Sequence, residues 1–288
     1  MRRRIGLTLA VVIACAAVPA VALTRGHPRR RTKVAGLAPA APLTRGADRS
    51  SRVSPHSSPA NPNRAVGKVL GYTSYVRLGA GRRRDVALTF DDGPGPYTSA
   101  IIRILRRTHA PATFFAIGRE VRLYPRVVAA EARDGFEIGD HTETHPFLAA
   151  LPESLQQAQI GEAALAIRAA GGPYPHLFRA PYGSFDPATL ALLRAEQMLM
   201  VFWTVDTGDY SRPGVARIVY VALSGARPGA IILMHDGGGD RIQTVDALAR
   251  IIRGLRRRGY RLVTVSQLVA DDPPPRHQPV PTPLSGAG

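Results

Sequence analysis

Short runs of apolar, β-branched or aromatic residues recur along the middle of the chain, at Val86–Phe90, Thr113–Ile117, Phe136–Gly139, His176–Arg179, Met200–Asp206, Ala230–Met234 and Arg261–Val265. Longer stretches with helical spacing separate them. In the clearest, Val245, Leu248, Ile251, Ile252 and Leu255 recur at steps of three and four, which makes one helical face apolar, and Gly259 stops that helix before the last run. Strand and helix alternating in this way predict an α/β fold, a parallel sheet covered by helices. Seven strands predict a closed or nearly closed barrel, with a doubly wound open sheet as the alternative. No internal repeat and no second module accompany this pattern.

The flanks lack it. Arg2, Arg3 and Arg4 precede an uncharged, mostly apolar run from Ile5 to Leu23 that contains Ala20-Val21-Ala22, an export signal with an A-x-A cleavage pattern. Uncleaved, the same run is long enough to anchor the chain in a bilayer. Residues 1–23 are therefore expected to be a signal peptide or membrane anchor, and the rest of the chain is expected to be extracytoplasmic. Residues 24–66, rich in Arg, Pro, Ala and Ser, are expected to be a disordered basic tether, and the proline-rich residues 271–288 a disordered tail. The folded domain is expected at 67–270.

Charge reinforces this division. The formal net charge is +17, but residues 1–64 hold twelve Lys or Arg against one Asp, so most of the excess belongs to the leader and tether. Nucleic-acid binding by the whole protein is not implied; a basic segment near a membrane surface or an anionic wall polymer is. Nothing in the sequence indicates an obligate protein partner. Cys15 is the single cysteine, which excludes an intramolecular disulfide and a cysteine-based zinc site. Val12-Ile13-Ala14-Cys15 has the look of a lipidation box, yet apolar sequence continues past it, which favours an inert thiol over a lipidated one.

Five polar clusters fall at or just after the ends of successive strands: Asp91-Asp92, His141 with His145, Arg179, Asp206, and His235. Each has an ordinary reading alone. Asp-Asp-Gly-Pro makes turns, a histidine pair four apart is often surface or capping, and Arg179, Asp206 and His235 could be a salt-bridge partner, a cap and a core histidine. Together they lie where a parallel barrel gathers its active site, at the C-terminal ends of the strands.

In order, Thr89-Phe90-Asp91-Asp92-Gly93-Pro94, His141-Thr142-Glu143-Thr144-His145, Arg179-Ala180-Pro181-Tyr182-Gly183, Asp206-Thr207-Gly208-Asp209-Tyr210 and Leu233-Met234-His235 resemble the five motifs of the polysaccharide deacetylases, carbohydrate esterase family 4 or the NodB-homology domain. The resemblance spans about residues 84–270. It implies a distorted (β/α) barrel of about seven parallel strands. It implies that Asp92, His141 and His145 ligate a divalent metal, Zn²⁺ first, with Co²⁺, Ni²⁺ or Mn²⁺ as alternatives; two histidines at i, i+4 are expected to share one face of a helical turn. By the same resemblance Asp91 is the general base, Arg179 orients it and holds it ionised, and the Tyr182 N–H is an oxyanion donor. His235 is the general acid, Asp206 is the charged partner that raises its pKa, and Tyr210 and Leu233 wall the acetyl methyl group. Glu143 is expected to face solvent. The implied activity is metal-dependent removal of N-acetyl groups from amino sugars of a polysaccharide, peptidoglycan (GlcNAc or MurNAc) or chitooligosaccharide. An O-acetyl esterase acting on acetylxylan or another wall glycan, and a non-catalytic wall-associated binding protein, are the competing readings.

Overall fold

A computed structural model of the chain describes residues 62–279. The predicted leader, residues 24–61 of the predicted tether and residues 280–288 of the predicted tail lie outside the described residues.

Nine strands form one parallel sheet among the described residues: β1 (Tyr75–Val76), β2 (Asp85–Gly93), β3 (Thr113–Ala116), β4 (Glu137–Asp140), β5 (Leu177–Phe178), β6 (Leu199–Val201), β7 (Val205–Asp206), β8 (Ala230–His235) and β9 (Arg261–Val263). Their order is β1-β6-β5-β4-β3-β2-β8-β7, with β9 beside the first half of β2. All seven predicted runs contain strand. The run at 200–206 divides in two: β6 pairs with β5 and β7 pairs with β8, so the two sides of the sheet meet within one short stretch of chain. The sheet therefore curls into a distorted barrel.

Strand β2 shows how the pattern builds this. Side chains alternate along a strand. Val86, Leu88 and Phe90 join the outer core with Ile101, Leu105, Leu248, Ile251 and Ile252 from the helices at Thr98–Thr108 and Ile242–Arg257. Ala87 faces the barrel interior with Leu177, Leu199, Ile231 and Val263, while Thr89 and Asp91 continue the same inner face toward the C-terminal mouth. Both faces of β2 are buried, which is why the strand reads as a continuous apolar run. The helix at Ile242–Arg257 ends at Gly259, whose φ of 76° is the left-handed conformation that glycine supplies at a helix end.

Both predicted flanks reach too far inward. Residues 62–66 open a helix, Pro62–Leu70, whose Ala65, Val66, Val69 and Leu70 pack with Val265, Leu268 and Val269. The Arg, Pro and Ala composition of the tether concealed that short amphipathic stretch. Asp271 ends a helix, Val265–Asp271, and the residues after it are docked. Buried Asp272 accepts hydrogen bonds from the N–H groups of Gly81 (2.7 Å) and Arg82 (3.1 Å), and Tyr72 donates to the Pro274 carbonyl (2.9 Å). Gln278 donates to the Tyr75 carbonyl (3.1 Å) and accepts from the Arg77 N–H (3.0 Å). Prolines lack donors but keep their carbonyls, and Tyr72 of the domain uses the one at Pro274.

Candidate active site

The mouth of the barrel holds an open cavity of about 500 Å³. Nine of the ten residues singled out from the sequence line it: Asp91, Asp92, His141, His145, Tyr182, Asp206, Tyr210, Leu233 and His235. The tenth, Arg179, lies directly beneath.

Asp91 and Asp92 end β2, and regular alternation would send them to opposite faces. The pairing of β2 with β3 slips between Asp91 and Gly93, and Asp92 takes φ 71°. This bulge brings both carboxylates to the cavity. The loop after β8 must then pass very close: a Cβ on Gly238 would lie 2.5 Å from Asp92 Oδ2, so only glycine fits there.

Arg179 is fully buried inside the barrel, and its guanidinium is met on every side. It donates to Asp91 Oδ1 (2.7 Å), Thr89 Oγ1 (2.8 Å) and the Val201 carbonyl (3.1 Å), and lies 4.1 Å over the Phe115 ring. A buried cation is tolerated only when it is paired and hydrogen-bonded in this way. Asp91, 3% exposed, is thereby held on the β2 inner face by one charge-assisted bond from a guanidinium nitrogen that also donates to Thr89.

His141 and His145 converge, but not by the expected helical turn. They sit in the loop after β4, where Thr142 (φ 68°) and His145 (φ 64°) are left-handed. Asp140 Oδ1 accepts from the Thr142 N–H (2.7 Å) and Thr142 Oγ1 from the His145 N–H (3.1 Å), and these bonds shape the turn. His141 Nδ1 lies 2.7 Å from the Arg179 carbonyl; a carbonyl only accepts, so Nδ1 carries the proton and the Nε2 lone pair is free. That Nε2 is 3.5 Å from Asp92 Oδ1, and His145 Nε2 is 3.1 Å from the same oxygen. One ligand atom from each of Asp92, His141 and His145 lies within 4.8 Å of the others. Asp92 Oδ1 is buried with no conventional hydrogen-bond partner, an orphan that a cation would satisfy, so the residues present fit a divalent ion. Glu143 does not face solvent as expected; its carboxylate is mostly covered and pairs with Arg122 (2.6 Å).

His235 ends β8, in register with Asp91. Its partner is Asp209, not the expected Asp206. Asp209 Oδ1 meets His235 Nδ1 at 2.7 Å, and Asp209 Oδ2 accepts from the His235 N–H (2.8 Å) and Thr244 Oγ1 (2.7 Å). Burial draws the pKa of His235 down, but the hydrogen bond and charge of Asp209, with Asp91 and Asp92 behind them, outweigh it and push it up to about 9. Burial draws Asp209 upward, and His235 more than offsets that, leaving it lowered. Asp206 turns its Oδ1 to the Gly208 N–H (2.8 Å) at the exposed rim, and partial burial raises its pKa. The turn through Gly208 (φ 65°) swings Asp209 inward, a reversal that spacing alone does not reveal.

Around the rim, Tyr182 adopts φ 58° and ψ 8°, and its ring stacks on Phe147 at 4.0 Å and meets His145 edge-on at 4.6 Å. Tyr210 lies edge-on to His235 at 5.4 Å. Trp203 and Arg119 also line the cavity and were not singled out from the sequence. Trp203 follows the β6 run, where an aromatic reads simply as core.

Comparison with known proteins fits this geometry. The polysaccharide deacetylase family model matches residues 79–201, from β2 to β6. A chitooligosaccharide deacetylase of Bradyrhizobium sp. is 38% identical over 217 residues, 68% of this chain and 99% of that protein. The chain belongs to the polysaccharide deacetylase family, carbohydrate esterase family 4. A peptidoglycan-N-acetylglucosamine deacetylase of Bacillus cereus is 38% identical over 206 residues, 70% of this chain and 96% of that one. The crystal structure of a peptidoglycan N-acetylglucosamine deacetylase aligns with a TM-score of 0.66 at 34% identity, covering 68% of this chain and 92% of that one. Asp209 and His235 lie beyond the residues matched by the family model, and the fold brings them into the same cavity as Asp91, Asp92 and His141.

Proposed function

We propose that this family member hydrolyses the N-acetyl groups of amino sugars in a polysaccharide, with GlcNAc-containing peptidoglycan the foremost substrate and chitooligosaccharide the next. The observation that carries the reading is the Asp209–His235 pair. Amide hydrolysis expels an amine, a poor leaving group that must be protonated as the C–N bond breaks, and a histidine whose pKa is about 9 is charged at neutral pH and can do so.

Position supports the remaining roles that the resemblance implies. Asp91 accepts a proton from the attacking water, and Arg179 holds its carboxylate in place. The Tyr182 N–H, in its left-handed turn, donates to the oxygen that becomes negative in the tetrahedral intermediate. Asp209 accepts from Nδ1 of His235, which leaves Nε2 to deliver the proton to the departing nitrogen. Leu233 and Tyr210 wall the acetyl methyl. Asp92, His141 and His145 would hold a divalent ion; one carboxylate with two imidazoles suits Zn²⁺ and also admits Co²⁺, Ni²⁺ or Mn²⁺. When bound, such an ion supplies Lewis acidity to water and to the acetyl carbonyl. Residues 1–23 export the chain, so that the domain acts outside the cytoplasm on wall glycan.

Acetate release from peptidoglycan, chitooligosaccharides and acetylxylan, with divalent ions removed and restored, tests this reading. Turnover of an N-acetylated glycan is expected. Efficient turnover of acetylxylan with no release from any N-acetylated glycan would overturn it.

A further inference from the structure

The end of the barrel opposite the cavity carries arginines that neither fold nor chemistry accounts for. The helices at Thr98–Thr108 and Ile242–Arg257 cross between parallel strands, so their C-termini lie with the N-terminal ends of those strands. At that end Arg256 donates to the carbonyls of Thr108 (2.6 Å) and His109 (3.0 Å), and Arg84 donates to that of Arg258 (2.6 Å). These guanidiniums close helix ends, and the helix dipole favours cations in a last turn. Arg103 and Arg253 escape that explanation, because they stand before the last turn. Each has a second arginine four residues on, Arg107 and Arg257, and like charges at this spacing destabilise a helix. All four are exposed on neighbouring helices, and none pairs with a carboxylate among the described residues.

The helix at Pro62–Leu70 closes the same end. Its Val66 and Val69 pack with Ala87, Leu199 and Ile231, each at or near the N-terminal end of its strand, so the chain enters the domain here. The sequence that leads to this point contains the apolar run Ile5 to Leu23 and most of the excess positive charge. The opposite end presents Asp91, Asp92 and Asp206 around the cavity.

We propose that this arginine face docks on an anionic lipid surface, holding the cavity away from the bilayer and toward the wall. Lipid is favoured over a soluble polyanion because the apolar leader precedes the chain's point of entry at the same end. The inference rests on the export proposed above and on retention of the leader as an anchor, and not on the reaction. Each arginine near an anionic bilayer is worth about fivefold in the docking equilibrium, so losing four should weaken it on the order of 10²-fold or more.

The test uses the full chain reconstituted in vesicles of equal parts phosphatidylglycerol and phosphatidylcholine, and in phosphatidylcholine alone. In a Cys15→Ser background, a fluorophore on Ser224→Cys, at the arginine end, or on Ser211→Cys, near the cavity rim, reports energy transfer to labelled headgroups. Stronger transfer from position 224 than from 211 is expected on the anionic vesicles only. High salt should abolish the contrast. So should replacing Arg103, Arg107, Arg253 and Arg257 with Gln, whereas replacing the same four with Lys should preserve it. Equal transfer from both positions, or a contrast that survives the four Gln substitutions, overturns the proposal. Loss of the contrast to a soluble polyanion that binds the domain more tightly than the anionic vesicles do assigns the face to a polymer instead, and overturns it too. Acetate release from the same samples keeps the claims apart: lost activity with an intact contrast faults the reaction, and the reverse faults the docking face.

Discussion

Asp91 and Asp92 are adjacent in the chain yet hold different partners in one cavity: Asp91 lies 2.7 Å from Arg179, and Asp92 lies 3.1 Å from His145 and 3.5 Å from His141. The bulge at Asp92 makes this division, and it separates a group that takes a proton from a group that binds a cation. Asp91→Asn should therefore retain bound metal, read by elemental analysis, while losing about 10²–10⁴-fold in acetate release. Asp92→Asn should lose the metal itself. Equal metal loss in both variants would refute the division.

Arg179 gives a prediction about stability. Its guanidinium fills the barrel interior and is the ionic partner of Asp91. Arg179→Leu leaves that carboxylate buried without its cation, which typically costs about 3–5 kcal/mol. A denaturant midpoint shifted by less than 1 kcal/mol equivalent would show that water takes the place of the guanidinium. Arg179→Lys should rescue little, because one ammonium cannot reach Asp91, Thr89 and the Val201 carbonyl from a single point.

Strand-end chemistry was legible in the sequence because each cluster follows an apolar run of strand length, and a parallel barrel sends all such ends to one mouth. Asp91, His141, Arg179 and His235 were found this way. Local backbone reversals were not legible. The left-handed turns at Thr142, His145 and Gly208 depend on side-chain-to-backbone bonds within each loop. Those turns are why the histidines converge without a helix and why Asp209 replaces Asp206 beside His235. The helix at Pro62–Leu70 was hidden by composition: Ala65, Val66, Val69 and Leu70 have helical spacing, but over one short stretch that continues an Arg-, Pro- and Ala-rich segment, and only their packing on Val265–Asp271 sets them apart from it.

Metal binding should appear in stability as well as in activity. A ligand that binds only the folded state stabilises it by about 2.7 kcal/mol when present at about 100 times its Kd. Chelation should thus lower the Tm of the wild type, and Zn²⁺ should restore it. His145→Ala, with one ligand missing from the set, should show a much smaller response to either treatment. An unchanged wild-type Tm across chelation and Zn²⁺ addition would argue against the Asp92, His141 and His145 site.

The last prediction sets Asp209 against Asp206. His235 is competent as an acid only while protonated, so activity on an amide should fall as pH rises through its pKa. That pKa is raised from 6.5 to about 9, with the Asp209 hydrogen bond and charge overcoming burial. A cation at Asp92 would offset the contributions of Asp91 and Asp92, so the upper limb of the loaded enzyme should lie above 6.5 but below about 9. Because the folded value is raised, the pair stabilises the fold fully below about 6.5 and ceases to do so as pH rises through the folded value. Asp209→Asn removes the counter-charge and leaves burial to draw the pKa down, so the upper limb should move to lower pH and release from an N-acetylated glycan at neutral pH should collapse. Asp206→Asn should move the limb little, since Asp206 acts only through space from the rim. An activated aryl acetate, which expels a better leaving group, should retain part of its turnover in both Asp209→Asn and His235→Ala. A limb displaced further by Asp206→Asn than by Asp209→Asn would show that the rim carboxylate, and not the buried one, tunes the acid.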